Sequence, residues 1–287
     1  MHLVTPFGVT RPRALLGHQA LNRVLAAVHG VLAGRPDGFR TMRLSAAGAD
    51  SPELSRLRDE IAGAFRLEPV RERAQLLVSL RPTAGGAAWE LLVRTTPRPL
   101  SARAWRVCDL PGALDATVAA AMARLAGPSP DERYLNLGCG SATLLVERLA
   151  LGPAAAAVGV DRDAAALDCA GRNLAAAGFL ASTGLVRGDL TALALPDRAF
   201  DTAVADLPFG QLSGSAAGNR RLYPALLAET ARVVGPGGGF VAITAHTAGF
   251  WAALERAGSA WRLERRIGLR IPFARGYVRP SIWLLRR

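Results

Sequence analysis

The stretch LNLGCGSATLLVERL, residues 135–149, decides the fold. It opens as a short apolar run, breaks at Gly138 and Gly140, and resumes with apolar residues at helical spacing. A strand that feeds a helix through such a turn can aim backbone amides at a ligand, because glycine tolerates the angles required and helix-start N–H groups are unsatisfied. Ala142 occupies the third position of a dinucleotide fingerprint and is small enough for close helix packing. Taken alone, the pattern serves a purely structural turn as well as a ligand site. It gains force from Asp161, 21 residues after Gly140 at the end of the next apolar run. A carboxylate there can accept both hydroxyl hydrogens of a ribose.

The rhythm around this stretch is regular. RYLNLG (133–138), AAAAVGVD (154–161), AFDTAVAD (199–206) and GGFVAIT (238–244) are short apolar runs, with helical patterns at 141–150, 163–177 and 221–234. That alternation predicts an α/β fold: a doubly wound, mostly parallel, Rossmann-like sheet with ligand-facing side chains at the carboxyl ends of its strands. WRLERRIGLR (261–270) and RPSIWLLRR (279–287) supply two final strands that turn at GYVRP. Upstream, a helix over 19–32, strands at 39–45, 74–80 and 88–95, and a helix over 51–65 make a smaller α/β domain. Ser51 caps that second helix, with Pro52 at its first position. The expected organisation is a domain over 1–100, a linker over 101–112, and a second domain over 113–287.

At 287 residues, half of them apolar, the chain has material for a large core and a smaller one. No window reads as a membrane span and MHLVTPFGV lacks the features of a secretion signal, so a soluble, cytoplasmic protein is expected. Cys108, Cys139 and Cys169 suit a reducing compartment and read as packing residues; no metal-ligand spacing appears. The formal charge is +12, and all 35 basic residues are arginine. Residues 1–110 carry 16 Arg against 9 acids, 111–245 carry 10 against 12, and 246–287 carry 9 against 2. An acidic middle between basic flanks suits a reaction core beside polyanion-binding surfaces, although ordinary solubilising charge gives the same totals.

Two further acids complete the candidate site. Asp189, in VRGDLTAL, follows a third strand where a carboxylate can meet a purine amino group, or it caps a turn. Asp206, in VADLPFGQL, ends the fourth strand and is followed by Leu207, Pro208 and Phe209. Proline holds Leu207 extended, so its carbonyl and the Asp206 carboxylate can each accept one hydrogen of a planar amine while Phe209 covers the ring. A buried carboxylate that merely stabilises the turn is the alternative.

These residues carry a family resemblance. Residues 133–245 resemble class I S-adenosylmethionine-dependent methyltransferases, and DLPFG is similar to the (Asp/Asn)-Pro-Pro-(Tyr/Phe) motif of amino methyltransferases. NLGCGSAT, GVDRDAAALDCAGRNLAAAG and NRRLYPALLAETARVVGPGGGFVAIT look most like the THUMP-containing RNA guanine-N2 methyltransferases, and FRTMRLSAAGADSPELSRLRDEIAGAF and AWELLVRT are similar to parts of a THUMP domain. The resemblance implies methyl transfer to guanine N2 in structured RNA, with tRNA as partner and position 6 as the family's expectation. Asp206, Leu207, Pro208 and Phe209 become the catalytic clamp. Asn136, Gly138, Cys139, Gly140, Ser141, Thr143, Asp161, Arg162, Asp189 and Leu190 become the set that binds S-adenosylmethionine. Arg94, Arg98, Arg103 and Arg106 are the candidate phosphate contacts. Asn136 stands where the family has an acid and Ala142 where it has a glycine, and the roughly 38 residues before the THUMP-like segment leave little room for the family's usual ferredoxin-like domain. A noncatalytic RNA-binding relative, or an amino methyltransferase acting on DNA adenine, protein glutamine or a small amine, are the competing readings.

Overall fold

The computed structural model describes residues 2–35, 38–83, 85–207, 216–273 and 276–287, and it divides into two compact units, 1–102 and 103–287. The first unit runs β1 (His2–Phe7), α1 (His18–Ala33), β2 (Thr41–Ser45), α2 (Pro52–Phe65), β3 (Glu68–Pro69), β4 (Leu76–Pro82) and β5 (Trp89–Arg94). Its sheet has the order β1-β5-β4-β2-β3. Ser51 Oγ accepts the Leu54 amide at 3.3 Å and Pro52 opens α2, so the helix starts where its cap dictates. Val24, Val28 and Val31 of α1 and Leu54, Leu57 and Ile61 of α2 recur at helical spacing and close the core over Met42, Leu76, Val78 and Val93. The edge strand β1, antiparallel to β5, has no counterpart in the sequence reading. Of its residues only Phe7 is buried, so it carries no alternation to detect.

The second unit holds α3 (Ala116–Leu125), β6 (Arg133–Leu137), α4 (Thr143–Leu149), β7 (Ala156–Asp161), α5 (Ala164–Ala177), β8 (Gly184–Arg187), β9 (Phe200–Asp206), α6 (Ala216–Val233), β10 (Val234–Thr244) and α7 (Thr247–Ala257). It ends with β11 (Arg262–Gly268), β12 (Ile271–Phe273), β13 (Gly276–Val278) and β14 (Ser281–Arg286). The large sheet has the order β11-β14-β10-β9-β6-β7-β8; β10 through β8 are parallel, and β14 and β11 antiparallel to their neighbours. The parallel strands read as unbroken apolar runs because both faces are covered. Leu135, Leu137, Ala203 and Ala205 pack toward Tyr223, Leu226, Phe250 and Trp283. On the other face Tyr134 and Val204 join Met122, Leu144, Leu145, Ala170 and Leu174. The fold is therefore the doubly wound α/β sheet the sequence predicts.

Two details differ from the sequence reading. The final strands do not turn at GYVRP: Gly276–Val278 is itself a strand, paired with Ile271–Phe273. Residues 103–112, most of the expected linker 101–112, belong to the second unit. Arg103 pairs with Glu147 at 2.6 Å, and Trp105 packs against the core around α4.

Candidate active site

Because β6 pairs with β7 on one side and β9 on the other, the chain reverses direction of winding at β6, and a crevice opens at the carboxyl ends of β6 and β9. The loop after β6 forms one wall. Gly138, Gly140 and Ala142 all take left-handed backbone angles, φ 61°, 52° and 63°. Glycine accommodates the first two without cost; Ala142 adopts the third as the residue before α4, with its methyl fully buried. Asp161, at the end of β7, braces the loop: Oδ2 accepts the Gly140 amide at 2.9 Å and Oδ1 the Asp163 amide at 3.0 Å. Each oxygen keeps a second lone pair for another donor.

A cleft of about 130 Å³ is lined by Gly138–Ser141, Thr143, Leu144, the segment 110–114 and Asp206. The structure thus brings the glycine loop and the Asp206 carboxyl to one space, as their positions at adjacent strand ends require. A larger depression of about 640 Å³ in the first unit, beside Leu25, Arg56 and Asp59, is wide open and gathers no comparable set of groups. Burial pushes the Asp206 carboxyl up to about 7, since the charged form is poorly solvated there. The next residue is fixed too: the Leu207 amide donates to the Ile243 carbonyl at 2.9 Å and its side chain is buried. Pro208 and Phe209 lie outside the described residues.

The remaining cofactor candidates divide by environment. Asn136 is buried; its amide nitrogen makes long bonds to the Leu137 and Val204 carbonyls, and its oxygen meets no donor among the described residues. Leu190 lies beside Gly138, 3.5 Å from where a side chain there would begin. Asp189 Oδ1 accepts both the amide and the hydroxyl of Thr191, and these bonds hold its carboxyl below the usual range. Arg162 is exposed, with its carbonyl accepting Arg187 Nε. The Cys139 thiol packs against Gly159, and burial pushes it up to about 12. Ser141 Oγ and Thr143 Oγ1 lie 3.3 Å apart.

The arginines singled out for phosphate are mostly engaged internally. Arg94 donates to the carbonyls of Ala74, Gln75, Thr96 and Pro97. Arg103 holds Glu147, and Arg106 donates to the Leu114 carbonyl, Thr143 Oγ1 and Asp109. Arg98 is exposed.

Sequence reasoning missed the residues that secure the cleft's second wall. Asn173, fully buried on α5, accepts the amides of Val107 and Cys108 at 2.9 Å and donates to the carbonyls of Cys108 (2.8 Å) and Ser141 (2.9 Å). It ties segment 107–108 to the glycine loop. One helical turn earlier on the same face, Cys169 forms a disulfide with Cys108, their Cα atoms 5.5 Å apart. This bridge corrects the expectation of three separate packing thiols; only Cys139 is free. The signal was the i, i+4 spacing of Cys169 and Asn173, whose meaning depends on a partner 61 residues away.

The chain is similar to known proteins in sequence and in fold. The model of the RMKL-like methyltransferase domain family matches residues 103–271. The mouse tRNA (guanine(6)-N(2))-methyltransferase THUMP3 is 29% identical over 191 residues, 62% of this chain and 37% of that protein. Its human counterpart is 30% identical over the same length, 62% and 36%. The mouse U6 snRNA (guanine-N(2))-methyltransferase THUMPD2 is 36% identical over 98 residues, 34% and 19%. The chain thus spans little more than a third of the length of the two curated THUMP3 relatives. Among solved structures, TrmN from Thermus thermophilus superposes with a TM-score of 0.70 at 25% identity, over 100% of this chain and 83% of that one. SMU.472 complexed with SAH shares the fold at 0.66 and 12% identity, over 98% and 81%. No helix among the described residues is long and apolar enough to cross a membrane.

Proposed function

The chain belongs to the RMKL-like methyltransferase domain family, and from that premise we propose that it transfers a methyl group from S-adenosylmethionine to the exocyclic N2 of guanine in structured RNA. The proposed RNA is tRNA, with position 6 as the target, and the first unit is assigned a THUMP-like, RNA-binding role. The named activities of the guanine-N2 methyltransferases it resembles support the reaction class. The observation that carries the reading is the single cleft shared by the glycine loop and Asp206.

The residues fit the cofactor. A buried carbonyl oxygen without a donor, Asn136 Oδ1, suits an ammonium group beside the loop. Asp161 has lone pairs left for ribose hydroxyls, and Asp189 Oδ2 is free for the base edge. When bound, S-adenosylmethionine supplies an electrophilic methyl group on a sulfonium sulfur.

The chain's own work is to hold the acceptor amine and take its proton. Asp206 accepts one N–H of the guanine amine, and the Leu207 carbonyl, anchored through its own amide to Ile243, accepts the other. That pair orients the nitrogen lone pair toward the loop wall, which converts a bimolecular encounter into an aligned one. A carboxyl whose affinity for a proton is raised to about 7 is also a better acceptor than an ordinary aspartate as positive charge develops on nitrogen. Phe209 is assigned the stacking role on sequence grounds. Segment 110–114 forms the far wall of the cleft and follows directly on Cys108, which Asn173 and the disulfide hold in place.

The test separates the two walls. Asp161→Ala should abolish S-adenosylmethionine binding, whereas Asp206→Ala should keep that binding and lose transfer to RNA by about 100-fold or more. Transfer undiminished in Asp206→Ala refutes the clamp.

A further inference from the structure

The last strands of the large sheet continue beyond it as a ribbon. From Arg265 opposite Leu284, pairing runs through Gly268 opposite Ser281 without a register break. The Leu269 amide then donates to the Pro280 carbonyl at 2.8 Å, and pairing resumes at Ile271–Val278 in the same register. Side chains alternate faces along a strand, and paired residues share a face. One face presents Ile267, Leu269 and Ile282 to the core around α4. The other bears Arg266, Arg270 and Pro272 opposite Trp283, Arg279 and Tyr277.

On that second face guanidinium groups lie on aromatic rings. Arg266 sits 4.6 Å from the Trp283 ring centre and donates to Ser281 Oγ; Arg270 sits 3.7 Å from the ring centre of Tyr277, which is 56% exposed. A guanidinium over a ring spends its π face and keeps its in-plane N–H groups for phosphate oxygens. Among the described residues no carboxylate pairs with Arg265, Arg270 or Arg279. The only acid after residue 261, Glu264, is taken by Arg262 and Arg286.

The stripe stands at the reactive end of the sheet. Asp206 lies beside Ile243, Thr244 beside Ser281, and Ser281 beside Gly268, so the ribbon leaves the sheet at the row where the Asp206 carboxyl opens to the cleft. Two to three strand spacings put its base about 10–14 Å from β9, and five residues carry its tip about 17 Å above the row. That is a span of a few nucleotides.

We propose that this ribbon face docks the RNA strand flanking the target guanine: Tyr277 stacks a neighbouring base, and Arg270 and Arg279 hold phosphates. The inference rests on the RNA methyltransferase reading above and names how that substrate is gripped. It also supplies phosphate contacts that Arg94, Arg103 and Arg106, engaged internally, do not offer.

The test titrates unmodified total tRNA against the full chain and its variants across a salt series, with S-adenosylmethionine affinity, melting temperature and methyl transfer measured alongside. Tyr277→Ala should weaken RNA binding roughly 5- to 150-fold, as loss of one base stack does, and Tyr277→Phe should restore it. Arg270→Ala combined with Arg279→Ala should lower the slope of log affinity against log salt by about 2. S-adenosylmethionine affinity and melting temperature should not move, because these side chains are exposed and outside the cleft. If wild type methylates RNA and the variants match it in affinity and slope, the docking proposal falls and the enzyme reading stands. If wild type binds S-adenosylmethionine but neither binds nor methylates RNA, the enzyme reading falls and takes the proposal with it. A binding loss in Tyr277→Phe equal to that in Tyr277→Ala, with a lowered melting temperature, assigns the ring to folding and also overturns the proposal.

Discussion

Replacing Asp206 with asparagine should change how stability depends on pH. Desolvation beside the strand ends raises the folded carboxyl to about 7, against 3.8 for an unburied aspartate. Below 3.8 the group is protonated in both folded and unfolded chains and costs nothing. Between 3.8 and 7 the folded chain keeps a proton that the unfolded chain has released, so stability falls as pH rises. Above 7 the folded chain bears the poorly solvated charge and the loss is complete. A gap of about 3.2 units at about 1.36 kcal/mol each is roughly 4 kcal/mol, an upper bound because the side chain opens to the cleft and water screens it. Urea unfolding of wild type and Asp206→Asn, from pH 4.5 to 8.5, measures the difference. The variant should gain about 3 kcal/mol on wild type across that range, levelling off above 7. A constant difference would show that Asp206 is not the desolvated group, and the clamp would lose its physical basis.

Four further outcomes follow from the packing. Asn173→Ala leaves two amides and two carbonyls without their partner, so it should cost about 3 kcal/mol in unfolding experiments and weaken S-adenosylmethionine binding in calorimetry. In the oxidised protein no thiol should react with Ellman's reagent before denaturation and one should react after it, because Cys139 is buried and held protonated; three after denaturation would show that the bridge is not formed. Arg148→Ala strands the buried Glu132 carboxylate and should cost about 3–5 kcal/mol by the same unfolding assay. Ala142→Gly relieves a left-handed alanine worth about 1–2 kcal/mol but removes a buried methyl worth about 0.8 kcal/mol, so its stability should stay within about 1 kcal/mol of wild type.

The large sheet was legible because its parallel strands are covered on both faces and so run apolar without interruption, with Gly138 and Asp161 marking successive strand ends. From strand order alone, Asp206 was expected across the switch from the glycine loop, and the cleft unites them. Elements held together from a distance were illegible. Segment 101–112 reads as a linker because the order of residues 103–108 comes from Asn173, Glu147 and Cys169, which lie far along the chain. For the same reason Arg103 and Arg106 look like free charge in sequence. The edge strand β1 has one buried residue, and the ribbon's arginine face breaks up the apolar pattern of the strands that carry it.

In the proposed reaction one cleft joins a methyl donor to a guanine amine through Asp206. Incubating the full chain with labelled S-adenosylmethionine and total unmodified tRNA, followed by nucleoside analysis, tests it directly. Label should appear in N2-methylguanosine with wild type and be lost with Asp206→Ala; label in DNA or protein alone, or in a nucleoside methylated elsewhere, would contradict the proposed reaction.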